Sequence, residues 1–343
     1  MATTTTDAKK NLTPDRLMQF AWGYSIPLMI ESGLKHGVFD ALEHGGKTVE
    51  QLSQETGTSR RGLTMLLNAL CAVDLLRKQQ DRYALTPESE TFLVTTKPSF
   101  QGGIFKHISS QLMSKWMHLN DAVKTGKPVA TVNKQDQGGA AFFEKFVEDI
   151  FPMSYEAAKV LADALKLPAA RETVNVLDIA AGSGVWGVAL AEKSPQVRVT
   201  AVDWAEVIPV TQRVAKKHGV LDRFRFITGD INSANLGGDY HVATLGHILH
   251  SEGEPRSRKL IGRVYEALRP GGTIVISEFT PNEDRTGPAN TLIFALNMLV
   301  NTDEGDTYTF NEVRSWLTAA GFKDVRQLEA PAPSPLILAN KPS

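Results

Sequence analysis

The sequence predicts an α/β protein, a mostly parallel seven-stranded sheet with a terminal antiparallel strand, preceded by a mostly helical N-terminal region. Three observations predict it. After Arg171, short apolar or β-branched runs alternate with helical patterns, which implies a parallel sheet covered on both faces. A glycine-rich loop follows the first of those runs. Between Pro14 and about Arg171 the apolar residues instead recur at helical spacing.

The elements follow in order. Residues 1 to about 12 read as a frayed tail. Leu17, Phe20, Ala21, Tyr24 and Leu28 share a helical face. Thr48 and Ser59 are suited to cap two helices, and Gly57 breaks the chain between them. The pair Val49–Thr56 and Ser59–Val73 reads as a helix-turn-helix, and two short strands, Leu75–Lys78 and Tyr83–Leu85, complete a winged-helix pattern. Lys124 to Gly139 is polar and reads as a loop, and one long helix is predicted from about Phe143 to Leu165. The predicted strands are Val174–Ile179, Arg198–Val202, Phe224–Thr228, His241–Leu245 and Thr273–Glu278. Helices Val185–Lys193, Val207–His218 and Pro255–Leu268 separate them, and Gly271-Gly272 marks the turn into the fifth strand. Val325–Leu328 and Leu336–Asn340 are joined by a short link that suits an antiparallel pair. The chain of 343 residues thus divides into a domain over 1–110, linker and pocket helices over 111–170, and a sheet domain over 171–343.

Composition excludes several classes. Lys plus Arg is 37 against 38 Asp plus Glu, so no global field attracts nucleic acid or an anionic membrane. One cysteine, Cys71, supplies neither an internal disulfide nor a thiolate metal cage. No apolar stretch approaches the ~20 residues that cross a bilayer, and the polar N-terminus lacks a secretory core. The expectation is a cytoplasmic protein.

The strongest motif is Asp178-Ile-Ala-Ala-Gly182-Ser-Gly184-Val-Trp-Gly187, set between a strand and a helix. Glycines there let a ligand approach the backbone, with Ala180, Gly182 and Gly184 nearest to it. Asp203 ends the next strand, where a carboxylate can accept both hydroxyls of a ribose, and Trp204 follows it. Gly229-Asp230-Ile231 follows the third strand. Asp230 can accept from an adenine amino group, and Ile231 can pack on the ring. Each aspartate alone could be a turn residue. Three at successive strand ends repel a pyrophosphate and suit a ligand carrying an ammonium and a sulfonium, that is, S-adenosylmethionine.

These segments, together with ILHSEGE, RPGGTIVISEF and YTFNEVRSWLTAAGF, resemble the small-molecule O-methyltransferases, the plant caffeate-type enzymes and bacterial tailoring enzymes. The resemblance covers nearly the whole chain. It implies a Rossmann-like methyltransferase domain, an N-terminal winged-helix dimerisation domain, a homodimer, and methylation of an aromatic or enol hydroxyl of a small-molecule acceptor. It makes His250 the general base and Glu278 the acid that orients it, with no metal. Met153, Phe294, Asn297 and Met298 fall in the acceptor pocket. Three positions depart from the family pattern. Ser251 stands where an aspartate follows the histidine, Gly246 where plant members carry a lysine, and Thr307, beside Asp306, where a second flanking glutamate is expected.

His247 and His250 are three apart and share a face on a helical turn, but their own segment offers no third metal ligand. His247 is read as a hydrogen-bonded loop histidine. Two alternatives accompany methyl transfer: a relative that binds the cofactor but decarboxylates, hydroxylates or rearranges its substrate, and a DNA-binding regulator. Residues 1–100 carry eleven Lys or Arg and eleven Asp or Glu, and the second helix of the helix-turn-helix has only Arg60 and Arg61. That is too neutral for strong phosphate binding.

Overall fold

The computed structural model describes residues 13–132 and 139–343. The frayed tail expected over residues 1–12, and part of the loop expected over Lys124 to Gly139, lie outside the described residues. The chain separates into two units, Met1–Ser110 and Gln111–Ser343.

The first unit begins with α1 (Asp15–Ala21), α2 (Ser25–Lys35) and α3 (Val38–Ala41). A short strand β1 (Lys47–Thr48) leads into α4 (Val49–Thr56) and α5 (Arg60–Ala72). The Thr48 hydroxyl accepts from the Gln51 N–H in a reciprocal capping box, Gly57 closes α4 at φ +66°, and Ser59 caps α5. β2 (Leu76–Gln79) and β3 (Arg82–Leu85) pair antiparallel, β1 adds to β3, and α6 (Pro87–Phe92) follows. This is the expected wing. Its core is built from Phe39, Leu52, Leu67, Leu70 and Tyr83, all essentially inaccessible. α1 is different: it buries none of its residues, and Leu17, Met18 and Phe20 stand exposed, as do Trp22 and Tyr24 beyond it.

The second unit opens with α7 (Met113–Trp116), α8 (Leu119–Thr125), α9 (Gly139–Phe146) and α10 (Phe151–Ala164). The single helix expected from Phe143 to Leu165 is two helices, broken before Pro152. Proline removes a donor and clashes with the preceding turn, so it starts a helix rather than continuing one. Alternation then sets in: β4 (Val174–Ile179), α11 (Val185–Lys193), β5 (Val197–Asp203), α12 (Ile208–Lys217), β6 (Phe224–Thr228) and β7 (Tyr240–Gly246). α13 (Leu249–Glu252), α14 (Glu254–Ala267), β8 (Leu268–Ser277), α15 (Ala289–Asn301), α16 (Phe310–Ala319), β9 (Lys323–Leu328) and β10 (Leu336–Asn340) complete it. The sheet order is β6-β5-β4-β7-β8-β10-β9. The first five strands are parallel, and β10 inserts antiparallel between β8 and β9.

The fifth strand starts earlier than expected. β8 takes in Gly271-Gly272, and its register against β7 shifts between Tyr240 and Val242. Gly271 has φ +76°, so the pair forms an irregularity inside the strand rather than a turn before it. The two-residue period puts Val176, Val199 and Val275 under α10 and α11, and Leu177, Ile179, Leu245 and Ile276 under α14 and α16. The carboxyl ends of β4, β5, β6 and β7 therefore meet at one edge of the sheet.

Candidate active site

A cavity opens at that edge. Ala180, Gly182, Asp203, Trp204, Asp230, Ile231, His247 and His250 are among its lining residues. The glycine loop is held from below. Asp178 is 1 % exposed; its Oδ1 accepts from the Thr244 hydroxyl at 2.7 Å and its Oδ2 from the Gly187 N–H at 3.0 Å. It does not line the cavity. It braces the loop from the α11 face of the sheet, and burial pushes its carboxyl up to about 7. The carboxylate expected to meet a cationic ligand is engaged with Gly187 and Thr244. Gly184 also lies off the cavity wall, at φ +75°, where a Cβ would come within 2.7 Å of Thr211. Gly229, which likewise does not line it, donates its N–H to Asp203 O at 2.9 Å.

Asp203 does reach the cavity. Its Oδ2 accepts from Gly182 N–H and its Oδ1 from Trp204 N–H, both at 2.7 Å. One lone pair on each oxygen stays available for a ligand hydroxyl. Burial pushes this carboxyl up to about 6. Asp230 lines the cavity while its Oδ1 accepts from the Asn232 N–H at 2.7 Å, so it is a turn residue and a wall residue at once. Trp204 meets Phe143 edge-on at 6.0 Å.

This wall tests the fit of a cofactor. Asp203, Asp230 and Glu252 face the cavity, and the lining cation is Arg256, whose Nε already donates to Glu252 Oε2 at 2.7 Å. A pyrophosphate would meet net negative charge there, whereas an adenosyl group with a sulfonium and an ammonium is favoured. At Gly246, a Cβ would lie 2.0 Å from Trp186 Nε1. The indole, 4 % exposed, fills the space that a side chain at 246 would need. S-adenosylmethionine fits the residues present.

His250 also lines the cavity, and its Nδ1 lies 2.7 Å from Glu278 Oε2. Glu278 is 4 % exposed, and its Oε1 also accepts from the His250 backbone N–H at 3.3 Å. Burial opposes its charge, but the neighbouring His250 imidazole outweighs this and holds the carboxyl below the usual range. Among the described residues, Glu278 is the carboxylate hydrogen-bonded to the His250 ring. Asp306 donates its backbone N–H to His250 O, while its carboxylate points 3.8 Å from Arg285. Thr307 is buried, and its hydroxyl has no hydrogen-bond partner.

An aromatic cluster from distant segments packs beside His250 without lining the cavity. Phe294 stands edge-on to His250 at 4.9 Å and stacks on Phe279 at 4.0 Å. Met298 is buried one turn further along α15, and Met153 is 36 % exposed on α10. Like Phe294, neither lines the cavity, nor does Asn297. Asn297 is engaged within the protein: its Oδ1 accepts from Trp116 Nε1 at 2.9 Å and from Asn301 Nδ2 at 3.1 Å. Sequence reasoning missed Trp186, Phe279, Glu252 and Arg256. It also set metal binding aside for want of a third ligand, yet Glu278 joins His247 and His250, with ligand atoms of all three within 4.8 Å of one another.

A parallel nucleoside-binding sheet with an acidic rim and a histidine–glutamate pair defines a class I methyltransferase-like enzyme. The comparisons name the family. Residues 116–323 match the model of the O-methyltransferase domain, and residues 18–95 that of the O-methyltransferase dimerisation domain. The chain belongs to the S-adenosylmethionine-dependent O-methyltransferase family. It is 28% identical to the 3-hydroxy-5-methyl-1-naphthoate 3-O-methyltransferase of Streptomyces sahachiroi, covering 93% of this chain and 92% of that one. It is 29% identical to the tetracenomycin polyketide synthesis 8-O-methyl transferase of Streptomyces glaucescens, covering 96% and 97%. A crystal structure of a Nostoc punctiforme protein, 28% identical, superposes with a TM-score of 0.88 over 97% of this chain and 100% of that one. Human N-acetylserotonin methyltransferase, solved with S-adenosylmethionine, shares the fold at a TM-score of 0.82 and 24% identity, over 98% and 100%. These matches favour methyl transfer over the non-methylating and regulatory alternatives. Among the described residues, no helix is long and apolar enough to cross a membrane.

Proposed function

We propose that this chain methylates an aromatic or enol hydroxyl of a small molecule, with His250 as the general base and Glu278 as the group that orients it. The pairing of His250 with Glu278 at the cavity wall carries the reading. S-adenosylmethionine supplies, when bound, an electrophilic methyl group on a positively charged sulfur. Asp203 accepts from the ribose hydroxyls, Asp230 and Ile231 hold the adenine, and Trp204 packs beside it. Ala180 and Gly182 let the backbone come close, while Asp178, Gly184 and Gly229 act through the shape of the loop. Glu278 accepts the imidazole N–H at Nδ1, which leaves Nε2 free to take the acceptor's proton, and its charge stabilises the imidazolium. A phenol near pKa 10 needs that help at neutral pH. Phe294 lies against a flat acceptor, with Met298 and Met153 behind it, and Asn297 positions α15 through Trp116.

The unit carrying the dimerisation domain is read as the interface of a homodimer. The exposed Leu17, Phe20, Trp22 and Tyr24 support this. Arg60 is already paired with Glu50, which argues against a phosphate-reading helix and for a protein that binds neither nucleic acid nor membrane. The cytoplasm suits its single free cysteine. The test is methyl transfer from labelled cofactor to a panel of phenols and enols, with light scattering for the assembly. Cofactor binding without transfer to any acceptor, or a monomer, would contradict the respective parts.

A further inference from the structure

One charged pair on the cavity wall takes no part in the chemistry above. Glu252 ends α13, Arg256 lies in the first turn of α14, and both line the cavity. Glu252 is 4 % exposed. A carboxylate so buried is costly unless it is paired. Its Oε2 accepts from Arg256 Nε at 2.7 Å and from Asn232 Nδ2 at 2.8 Å. The same Asn232 amide donates to Asp230 Oδ1 at 3.2 Å, and the Asn232 backbone N–H donates to that oxygen at 2.7 Å. One asparagine thus ties Glu252 to the acid that follows β6. All of the bonds to Glu252 fall on one oxygen. Its Oε1 accepts none from the described residues and is not among the polar atoms sealed without a partner, so it keeps an open surface. Arg256 engages its Nε alone. Its two Nη groups, on an exposed side chain, have no partner among the described residues.

We propose that Glu252 and Arg256 read the edge of the cofactor's adenine: Oε1 of Glu252 accepts from the 6-amino group, and an Nη–H of Arg256 donates to the ring nitrogen beside it. This rests on the reading of Asp230 and Ile231 as the adenine residues, because Asn232 joins Glu252 to that segment. The edge of adenine carries a donor next to an acceptor. The pair offers the opposite order, an acceptor next to a donor. The bond between Glu252 and Arg256 holds the two in register, and the planar guanidinium fixes the direction of its remaining N–H groups. The amino group has two hydrogens, so Asp230 and Glu252 can each take one. A 6-oxo purine reverses the pattern. Its carbonyl oxygen faces a carboxylate with no proton between them, and its protonated N1 has no lone pair for the guanidinium. The pair therefore selects an amino purine, beyond the shape of the nucleoside.

The experiment is calorimetry with S-adenosylhomocysteine and with S-inosylhomocysteine, the same molecule carrying a 6-oxo purine, on the wild type, Glu252→Gln and Arg256→Ala. The wild type should favour the amino purine by about 100-fold or more. A glutamine amide can turn its NH2 toward a carbonyl, so Glu252→Gln should cut this preference by about 10-fold, chiefly through tighter binding of the 6-oxo ligand. A purely structural role would weaken both ligands alike. Arg256→Ala, on an exposed side chain, should weaken S-adenosylhomocysteine by about 10-fold. Analogues with N1 or N7 replaced by CH identify the nitrogen: one of them should bind the wild type about as weakly as Arg256→Ala binds the parent, and should lose nothing further in that variant. Urea unfolding without ligand shows that each variant is folded. An unchanged preference in Glu252→Gln, or equal losses for the parent and both analogues in Arg256→Ala, overturns the proposal. Asp230→Ala separates the two readings: unaltered affinity for both ligands there would remove Asp230 from the adenine site, while a preference lost in Glu252→Gln would still assign the edge to Glu252.

Discussion

The Nδ1 atom of His250 lies 2.7 Å from Oε2 of Glu278, across a separation of 28 residues. The end of β8 delivers Glu278 beside the short turn after β7 that carries His250, because the two strands are parallel neighbours. In the proposed mechanism Glu278 sets the tautomer, and among the described residues no other carboxylate is hydrogen-bonded to the ring. Glu278→Gln keeps a hydrogen bond but removes the charge that stabilises the imidazolium. It should slow single turnover by roughly 10- to 100-fold, less than loss of the imidazole itself. Equal rates in Glu278→Gln and the wild type would remove Glu278 from the reaction.

Asp203 should make cofactor binding depend on pH. Its carboxyl titrates at about 6, and ribose hydroxyls favour the ionised form. Affinity for S-adenosylhomocysteine should therefore fall as pH drops below 6, with proton release on binding there. Asp203→Asn should flatten this dependence and weaken binding by about 1–3 kcal/mol. Calorimetry in buffers of different ionisation enthalpy measures both.

Asp178 should act on stability instead. Asp178→Ala strands the Gly187 N–H and the Thr244 hydroxyl, at a cost of about 1–3 kcal/mol. The sign with pH is distinctive. The carboxyl titrates at about 7 in the folded protein and near 4 unfolded. Its contribution is full below pH ~4 and declines as pH rises through 7. The gap between wild type and variant in urea unfolding should therefore be wider at pH 5 than at pH 8. A gap that widens with pH would contradict this.

Gly246 and Trp186 should be coupled. Gly246→Lys restores the residue type of the plant enzymes but drives a Cβ into the indole. It should destabilise by about 1–3 kcal/mol. In a double-mutant cycle, Trp186→Ala should absorb part of that loss, and strictly additive unfolding energies would show that the two do not compete for space.

The sheet was legible because its strands are short apolar runs between helical patterns, and because Thr48, Gly57 and Ser59 are strong local punctuation. What failed did so for tertiary reasons. Asp178 reads as a rim residue by its place in the motif, but the two-residue period of a strand turns it toward α11, where Gly187 waits. Asp203 ends its strand and does reach the rim. Phe294 over His250, Trp116 on Asn297 and Trp186 against Gly246 depend on packing between distant segments, and no local pattern announces them.

The most direct test of the account is single turnover of His250→Ala with labelled S-adenosylmethionine and a good acceptor, alongside calorimetry for cofactor affinity. His250 is the only side chain assigned the acceptor's proton, and it is not assigned any cofactor contact. The account predicts turnover slowed by about 10²–10⁴-fold with affinity for S-adenosylhomocysteine nearly unchanged. Methylation at the wild-type rate would contradict it.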